Sequence, residues 1–537
     1  MNKTANGFFL NPPLYRNTIT LQKLFVKAVR SSKIKYLFLL VAAFVGFSGC
    51  NALFAQKKTK IQLERADNLI GNKTAGTDLN IFVGNVIFKH EGTFLYCDSA
   101  VFNNKANNLD AFGKVHALVN DTLSLYGDVL NYDGNTRIAI VTGVVKLVDN
   151  RSTLTTDRLV YDRNTQIAFY TTGGTIVNKD NTLVSRRGYY HTSINELFFK
   201  DSVVLVNPEY VVNSDTLQYN TATEIVKISG PTTIKGDDEF LYAEDGWYDT
   251  KSDKSELIKN PSLTYKEQFL SGDKIYYDKE TGVGKAFGNV FMKDTVQNII
   301  LKSEFADYRR KDGYAYSTDS ALAILIDKTD SLFMHADTLR MIFDSLENPT
   351  HLKSYYHTKF FKTDLQGKCD SLVYSFNDST ITMIGRPALW TQANQLTANQ
   401  ITIYSSGQKI DSLFLDNASF IISVDKHDLS KYNQIKGKTM TGYFKENELY
   451  QIDVEGNSET IYFVREEDGG LIGINKAVSS SMKIMITDRQ IGEIYYFEQP
   501  DATLYPEKEY PVEELKLKDF KWLGKERPKS KYEIFRW

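Results

Sequence analysis

Apolar and polar residues recur along this chain with a period near thirty residues, and within each period they space as strands do. Five segments show the unit most clearly. They are Leu95-Tyr-Cys-Asp98-Ser-Ala-Val-Phe102, Leu125-Tyr-Gly-Asp128-Val-Leu-Asn-Tyr132, Leu154-Thr-Thr-Asp157-Arg-Leu-Val-Tyr161, Val212-Asn-Ser-Asp215-Thr-Leu-Gln-Tyr219 and Leu270-Ser-Gly-Asp273-Lys-Ile-Tyr-Tyr277. Relative to the anchor Asp98, Asp128, Asp157, Asp215 or Asp273, an apolar residue stands at −3, a small one at −1, an apolar one at +2 and an aromatic at +4. Weaker copies place their anchors at Asp67, Arg186, Asp245, Glu304, Asp337, Asp370 and Asn399. Successive anchors are 28 to 33 residues apart.

Each unit has a second half. A polar turn follows the aromatic, as in Asp133-Gly-Asn-Thr136 and Asp162-Arg-Asn-Thr165, where Asp and Asn supply side-chain turn bonds. A glycine then stands 15 residues after its Asp, at Gly113, Gly143, Gly230 and Gly288. The unit therefore predicts strand, turn, strand, glycine kink, strand and turn. The −3 and +2 apolar residues have opposite parity, so one flat strand would send them to opposite faces. A bulge near the small −1 residue returns them to one side. The anchor carboxylate is expected to cap that bend by accepting backbone N–H bonds, not to bind a metal.

One such unit cannot bury its own apolar face, so neighbours must stack. The fold expected is all-β: an elongated, twisted β-jelly roll or β-solenoid of about twelve units of ~30 residues. The organisation follows: leader and signal peptide at 1–55, a first half of repeats at 57–250, a second half at 251–440, a C-terminal β region at 441–505 and a charged tail at 506–537. The signature fades near residue 440, while Thr460–Val464 and Ile491–Phe497 still read as strands.

The leader carries Lys33 and Lys35 ahead of a short apolar run, 36–47, as an export signal does. Two exits compete. Phe47-Ser48-Gly49-Cys50 has the form of a lipobox, with Cys50 open to lipidation, and Leu53-Phe54-Ala55-Gln56 has the form of a signal peptidase site.

Composition removes several alternatives. The 64 basic and 66 acidic residues nearly cancel, against a nucleic-acid binder. Three Cys in 537 residues exclude a disulfide scaffold. The 32 Tyr and 32 Phe, with few Pro, favour strands. Seven scattered His make no zinc pattern, Ser480-Ser-Met-Lys483 lacks companion motifs, and no cofactor, catalytic residue or metal site is expected. Arg186-Arg187 and Arg309-Arg310 are basic pairs that could touch a lipid phosphate.

The run Leu-x-Gly-Asp-x-Ile-x-Tyr-Asp-x-x-Thr-Gly-x-Gly-x-Ala-x-Gly-Asn-Val at 270–290 resembles the OstA-like family, and the likeness extends over roughly 60–440. This is the periplasmic module of the lipopolysaccharide-transport proteins LptA and LptC and of the N-terminal part of LptD. The resemblance implies a V-shaped jelly roll with an apolar interior that sheathes acyl chains, and modules joined edge to edge. It implies no enzyme, but a lipid-binding bridge or chaperone in the periplasm, associated with the outer membrane. Its partners would be lipopolysaccharide or another glycolipid, and Lpt-type bridge proteins bound by edge-strand addition; nucleic acid is not among them. About a hundred residues after 440 are too few for the LptD barrel. The residues expected to line the interior are Leu125, Leu130, Leu154, Leu159, Val212, Leu217, Leu270 and Ile275. The competing readings are a structural or adhesive β-solenoid with a dry core, and a polysaccharide-active β-helix enzyme.

Overall fold

Strands of 10 to 12 residues rich in Val, Ile, Leu, Tyr and Phe follow one another in antiparallel pairs. The computed structural model describes residues 59–537 apart from 72–78, 120–122, 149–151, 179–180, 297, 329, 347, 407–408, 446–447 and 488–489. Cys50 and the export segment lie outside the described residues. The chain forms two compact units, one of residues up to 261 with 278–280, the other of 262–277 with 281–537. Both are all-β, and the described residues include no α-helix.

In the N-terminal unit, Thr93–Asn103, Asn108–Val119, Leu123–Asp133, Ile138–Val148 and Thr153–Asp162 pair in sequence. Every pair slips register at mid-strand, between Tyr96 and Ser99, Phe112 and Val115, Tyr126 and Val129, and Thr142 and Val145. The slip falls on the −1 residue and its Asp in Thr93–Asn103 and Leu123–Asp133, and on the kink glycine in Asn108–Val119 and Ile138–Val148. Each long strand bends there, and its halves enter two layers. Thr153–Asp162 shows this: its first half pairs with Gly174–Asn178 and its second with Ile167–Tyr170, two separate strands. The layers face each other across an apolar interior, the arrangement of a jelly roll.

The 15-residue spacing of Asp and Gly has a physical cause. At several bends the anchor side chain lies against the Cα of the glycine on the next strand. Gly143 has φ +101°, and a Cβ there would stand 2.2 Å from Asp128 Oδ2. Asp98 meets Gly113, Asp273 meets Gly288 and Asp370 meets Gly385 in the same way. Asp128 Oδ2 accepts from the N–H of Val144 at 3.1 Å. The anchor N–H donates to the glycine carbonyl, as in Asp273 to Gly288 at 2.9 Å. Elsewhere the carboxylate takes a side chain instead: Asn289 Nδ2 donates to Asp273 at 3.1 Å, and Lys114 stands 3.9 Å from Asp98. Asp215 accepts from Thr216 Oγ1 at 3.4 Å.

The turns interlock from rung to rung. Asp133 Oδ1 accepts from the N–H of Asn135, whose side-chain amide donates to Ala106 O at 2.6 Å; Asn164 repeats this on Thr136 O at 2.6 Å.

In the C-terminal unit the signature fades but the rungs continue and lengthen. Tyr432–Lys445, Glu448–Arg465 and Leu471–Thr487 pair antiparallel and still slip at mid-strand, between Lys436 and Thr439 and between Glu455 and Ser458. Residues 506–537 form three 3-10 turns that run back along the outside of this unit. Lys431 pairs with Glu507 at 2.7 Å, Lys476 with Glu514 at 2.6 Å, and Lys368 with Glu526. Three buried glutamines bond this segment, two of them through its backbone: Gln434 donates to Leu515 O at 2.8 Å, Gln395 donates to Lys521 O at 2.7 Å, and both accept from N–H groups of Leu517 and Leu523. Gln366 accepts from Arg527 Nε at 2.7 Å. Tyr510 and Leu517 cover Phe420, Ile422, Phe463 and Ile474.

Candidate functional site

The interior is built from two sequence positions per strand, one on each side of the bend. Leu125, Leu130 and Leu159 are buried and Leu154 is half-buried, in one apolar cluster with Phe88, Phe102 and Leu109. Val212 and Leu217 are buried in a second cluster with Leu183, Phe199 and Val203. Ile275 is buried, and Leu270 is half-buried against the C-terminal core. The position two residues after the kink glycine is equally interior and was not singled out from the sequence: Val86, Val115, Val145 and Val290 are at most 5% exposed. Its signal is the recurrent Gly-x-Val.

The two layers meet at their open side through turns, and there polar groups bridge them. In the N-terminal unit, Glu91, at the edge of one layer, pairs with Arg137 at 2.6 Å and Arg163 at 3.4 Å from the turns of the other. Arg163 Nη1 also donates to His90 O at 3.1 Å, and His90 Nδ1 lies 2.6 Å from Tyr132 Oη. Thr59 Oγ1 donates to Glu91, and this bond, with the two arginines, holds the Glu91 carboxyl below the usual carboxylate range. Burial pushes the His90 imidazole down, so it stays neutral near pH 7. Bonded partners here lie up to 73 positions apart in sequence, and together they close the mouth of the roll at this end.

A second polar group lies farther along the same unit. Asp253 is 2% exposed; its Oδ1 accepts from Tyr248 Oη at 2.9 Å, while Oδ2 has no hydrogen-bond partner. Lys279, Asp249, Glu239, Glu209 and Tyr210 are the other titratable groups around it. Burial pushes Asp253 up to about 6 and also raises Glu239, while it lowers Lys279. A folded-state carboxyl raised above its unfolded value binds more protons than the unfolded chain, so stability falls as pH rises between them. The N-terminal unit should therefore lose about 1–2 kcal/mol between pH 4 and 7 from this group, and Asp253→Asn should flatten that slope in urea melts. An unchanged slope in the variant would refute the assignment.

Other residues read from the sequence have structural partners. Arg187 pairs with Asp201, and Arg309 holds Asp307 through two bonds of 2.7 and 3.0 Å. Cys97 and Cys369 are free, buried thiols at bends, pushed by burial up to about 11 and about 12. Among the described residues no group of three His, Cys, Asp or Glu could hold a metal ion.

Residues 58–215 match a family model described as OstA-like protein. That span contains four anchors of the strong signature and the Glu91 clasp. No curated protein matches the chain. Among solved structures, the chain is similar to LptH, described as the LptA-homologous periplasmic component of the conserved lipopolysaccharide transport device from Pseudomonas aeruginosa. The identity is 17% and the TM-score 0.18, over 20% of this chain and 79% of that one.

Proposed function

We propose that the chain is an exported periplasmic protein that shelters the acyl chains of lipopolysaccharide, or of a similar glycolipid, on its way to the outer membrane. The observation that carries this is the OstA-like match over 58–215, coinciding with a roll whose inward positions are Leu, Ile, Val, Phe and Ala. Each CH₂ moved from water to such a wall is worth about 0.8 kcal/mol, so a multi-acylated lipid left in water would cost tens of kcal/mol. The roll offers a path without chemistry; directional movement needs an energy source from a partner.

Partner docking by strand addition is supported at both ends of the chain. Among the described residues, Gln62–Arg65 and Asn68–Gly71 pair on one side only, with Leu79–His90, and expose Leu63, Leu69 and Ile70. Gln490–Phe497 and Asp501–Tyr505 pair only with Leu471–Thr487.

Mass spectrometry of lipid extracted from the purified mature protein tests the cargo. A multi-acylated glycolipid, lost on Leu159→Glu, is the expected result. A lipid-free preparation would overturn the proposal in favour of a structural solenoid. One observation favours that second reading: the interior is already occupied by its own side chains, with Ala111 and Val145 fully buried.

A further inference from the structure

On the outer face of the C-terminal unit, away from the interior, lies a cleft of about 380 Å³ lined by Tyr314, Tyr316, Thr338, Arg340, Tyr355 and Tyr356. Three neighbouring strands build it: Tyr314–Thr318, Thr338–Phe343 and Pro349–Phe361. Alternation sends Ala315, Ser317, Leu339, Met341 and Ser354 inward to the core, so their neighbours stand outward. Tyr314 and Tyr316 stack, with centroids 6.3 Å apart and planes at 27°. The Arg340 guanidinium lies 4.3 Å over the Tyr314 ring, and its Nε is shielded from solvent without a hydrogen-bond partner. Tyr355 and Tyr356 form the other wall, with rings 6.1 Å apart, and Tyr356 is 56% exposed.

The chemistry of the lining is specific. Four aromatic rings on an outer sheet face would cost solubility if they served only packing. Among the described residues none of the four phenols uses its hydroxyl in a hydrogen bond, which leaves donors and acceptors free at the rim of apolar planes. Flat rings edged with hydroxyls match a pyranose, whose C–H face is apolar and whose hydroxyls lie around it. Asp307, paired in register with Tyr316, is already held by Arg309, with Lys285 3.7 Å away, and its side chain is 1% exposed. It therefore leaves Arg340 without an ionic partner. Lys353 sits opposite Arg340 in register, adding positive charge on the same face. A guanidinium beside stacked rings selects an anion on the sugar.

We propose that this cleft is a binding site for an acidic saccharide, a sugar carrying a carboxylate or phosphate substituent. The ring stacks on Tyr314, Tyr316 and Tyr356, and the acidic group bonds Arg340. The site is separate from the interior and does not depend on the cargo proposed for it.

Calorimetric titration of the full mature chain with tri-galacturonic acid, glucose 1-phosphate, maltotriose and inorganic phosphate tests this. The acidic sugars should bind with Kd of about 0.1–1 mM, maltotriose about tenfold more weakly and phosphate alone not measurably. Arg340→Gln should abolish the preference for acid, bringing the acidic sugars to the affinity of maltotriose for the same variant. Tyr316→Ala should weaken every sugar, and Tyr316→Phe, which keeps the ring, should retain most binding. If Tyr316→Ala does not fold, loss of the acid preference in Arg340→Gln still decides. No saccharide binding at 10 mM, phosphate binding as tight as the acidic sugars, or equal affinity for acidic and neutral sugars would each overturn the proposal.

Discussion

Gly143→Ala is expected to destabilise the N-terminal unit by about 3 kcal/mol, the sum of a disfavoured backbone angle and a steric collision. The backbone there has φ +101°, which L side chains rarely adopt, and the new methyl would lie 2.2 Å from Asp128 Oδ2. Asp128 must move, and its bond to the Val144 N–H is lost. Gly173 supplies the control, since it has φ +99° but nothing within 4 Å of its Cβ position. Gly173→Ala should cost only about 1 kcal/mol, the conformational part. Adding Asp128→Gly to Gly143→Ala, which removes the Asp128 Cβ 2.6 Å from the new methyl as well as the carboxylate, should recover the steric part and leave the angular one. The urea midpoint by circular dichroism measures all four chains. Equal midpoints for Gly143→Ala and Gly173→Ala would show that the Asp–Gly contact does not constrain the bend.

Removing residues 506–537 should damage the C-terminal unit by about 5 kcal/mol or more, from burial of Tyr510, Leu517 and Ile534 at about 1.5–3 kcal/mol each. The loss extends beneath the segment. Gln366, Gln395 and Gln434 are at most 2% exposed and make bonds to the tail that truncation would remove. Phe420, Ile422, Phe463 and Ile474 would become an outward apolar strip, and Trp390, now fully buried, would meet water. The truncated chain should self-associate, and adding a 506–537 peptide should reverse this. A truncated monomer with an unchanged urea midpoint would refute this role.

The fold was largely legible because the repeat encodes it twice. Hydrophobic parity demanded a bend at the −1 residue, and the Asp-to-Gly interval placed the strand that packs on it. Strand pairing follows from that interval alone. The Gly-x-Val positions were legible in principle, since Val86, Val115 and Val145 recur at a fixed offset. The Glu91–Arg137–Arg163 clasp was not, because it joins turns of opposite layers and, among the described residues, recurs in no other unit. Nor was the packing of 506–537. A segment rich in Lys and Glu carries no periodic apolar face, and two of its three glutamine anchors, Gln395 and Gln434, read backbone atoms rather than side chains. The tyrosine cleft hid for a different reason: Tyr314, Arg340 and Tyr356 belong to three strands that become neighbours only once register is fixed.

The returning C-terminal segment has one more consequence, for how this unit comes apart. In a stack where each rung touches only its neighbours, the end rung frays first and loss proceeds inward step by step. Here the segment bonds Lys476 and Gln434 near one end and Gln366, Phe333 and His335 several strands away. An end rung cannot peel without dislodging a strap that is also fastened far from it. Local opening is thereby made as costly as opening the whole span, and residues 333–537 should protect their amides from exchange as one cooperative block.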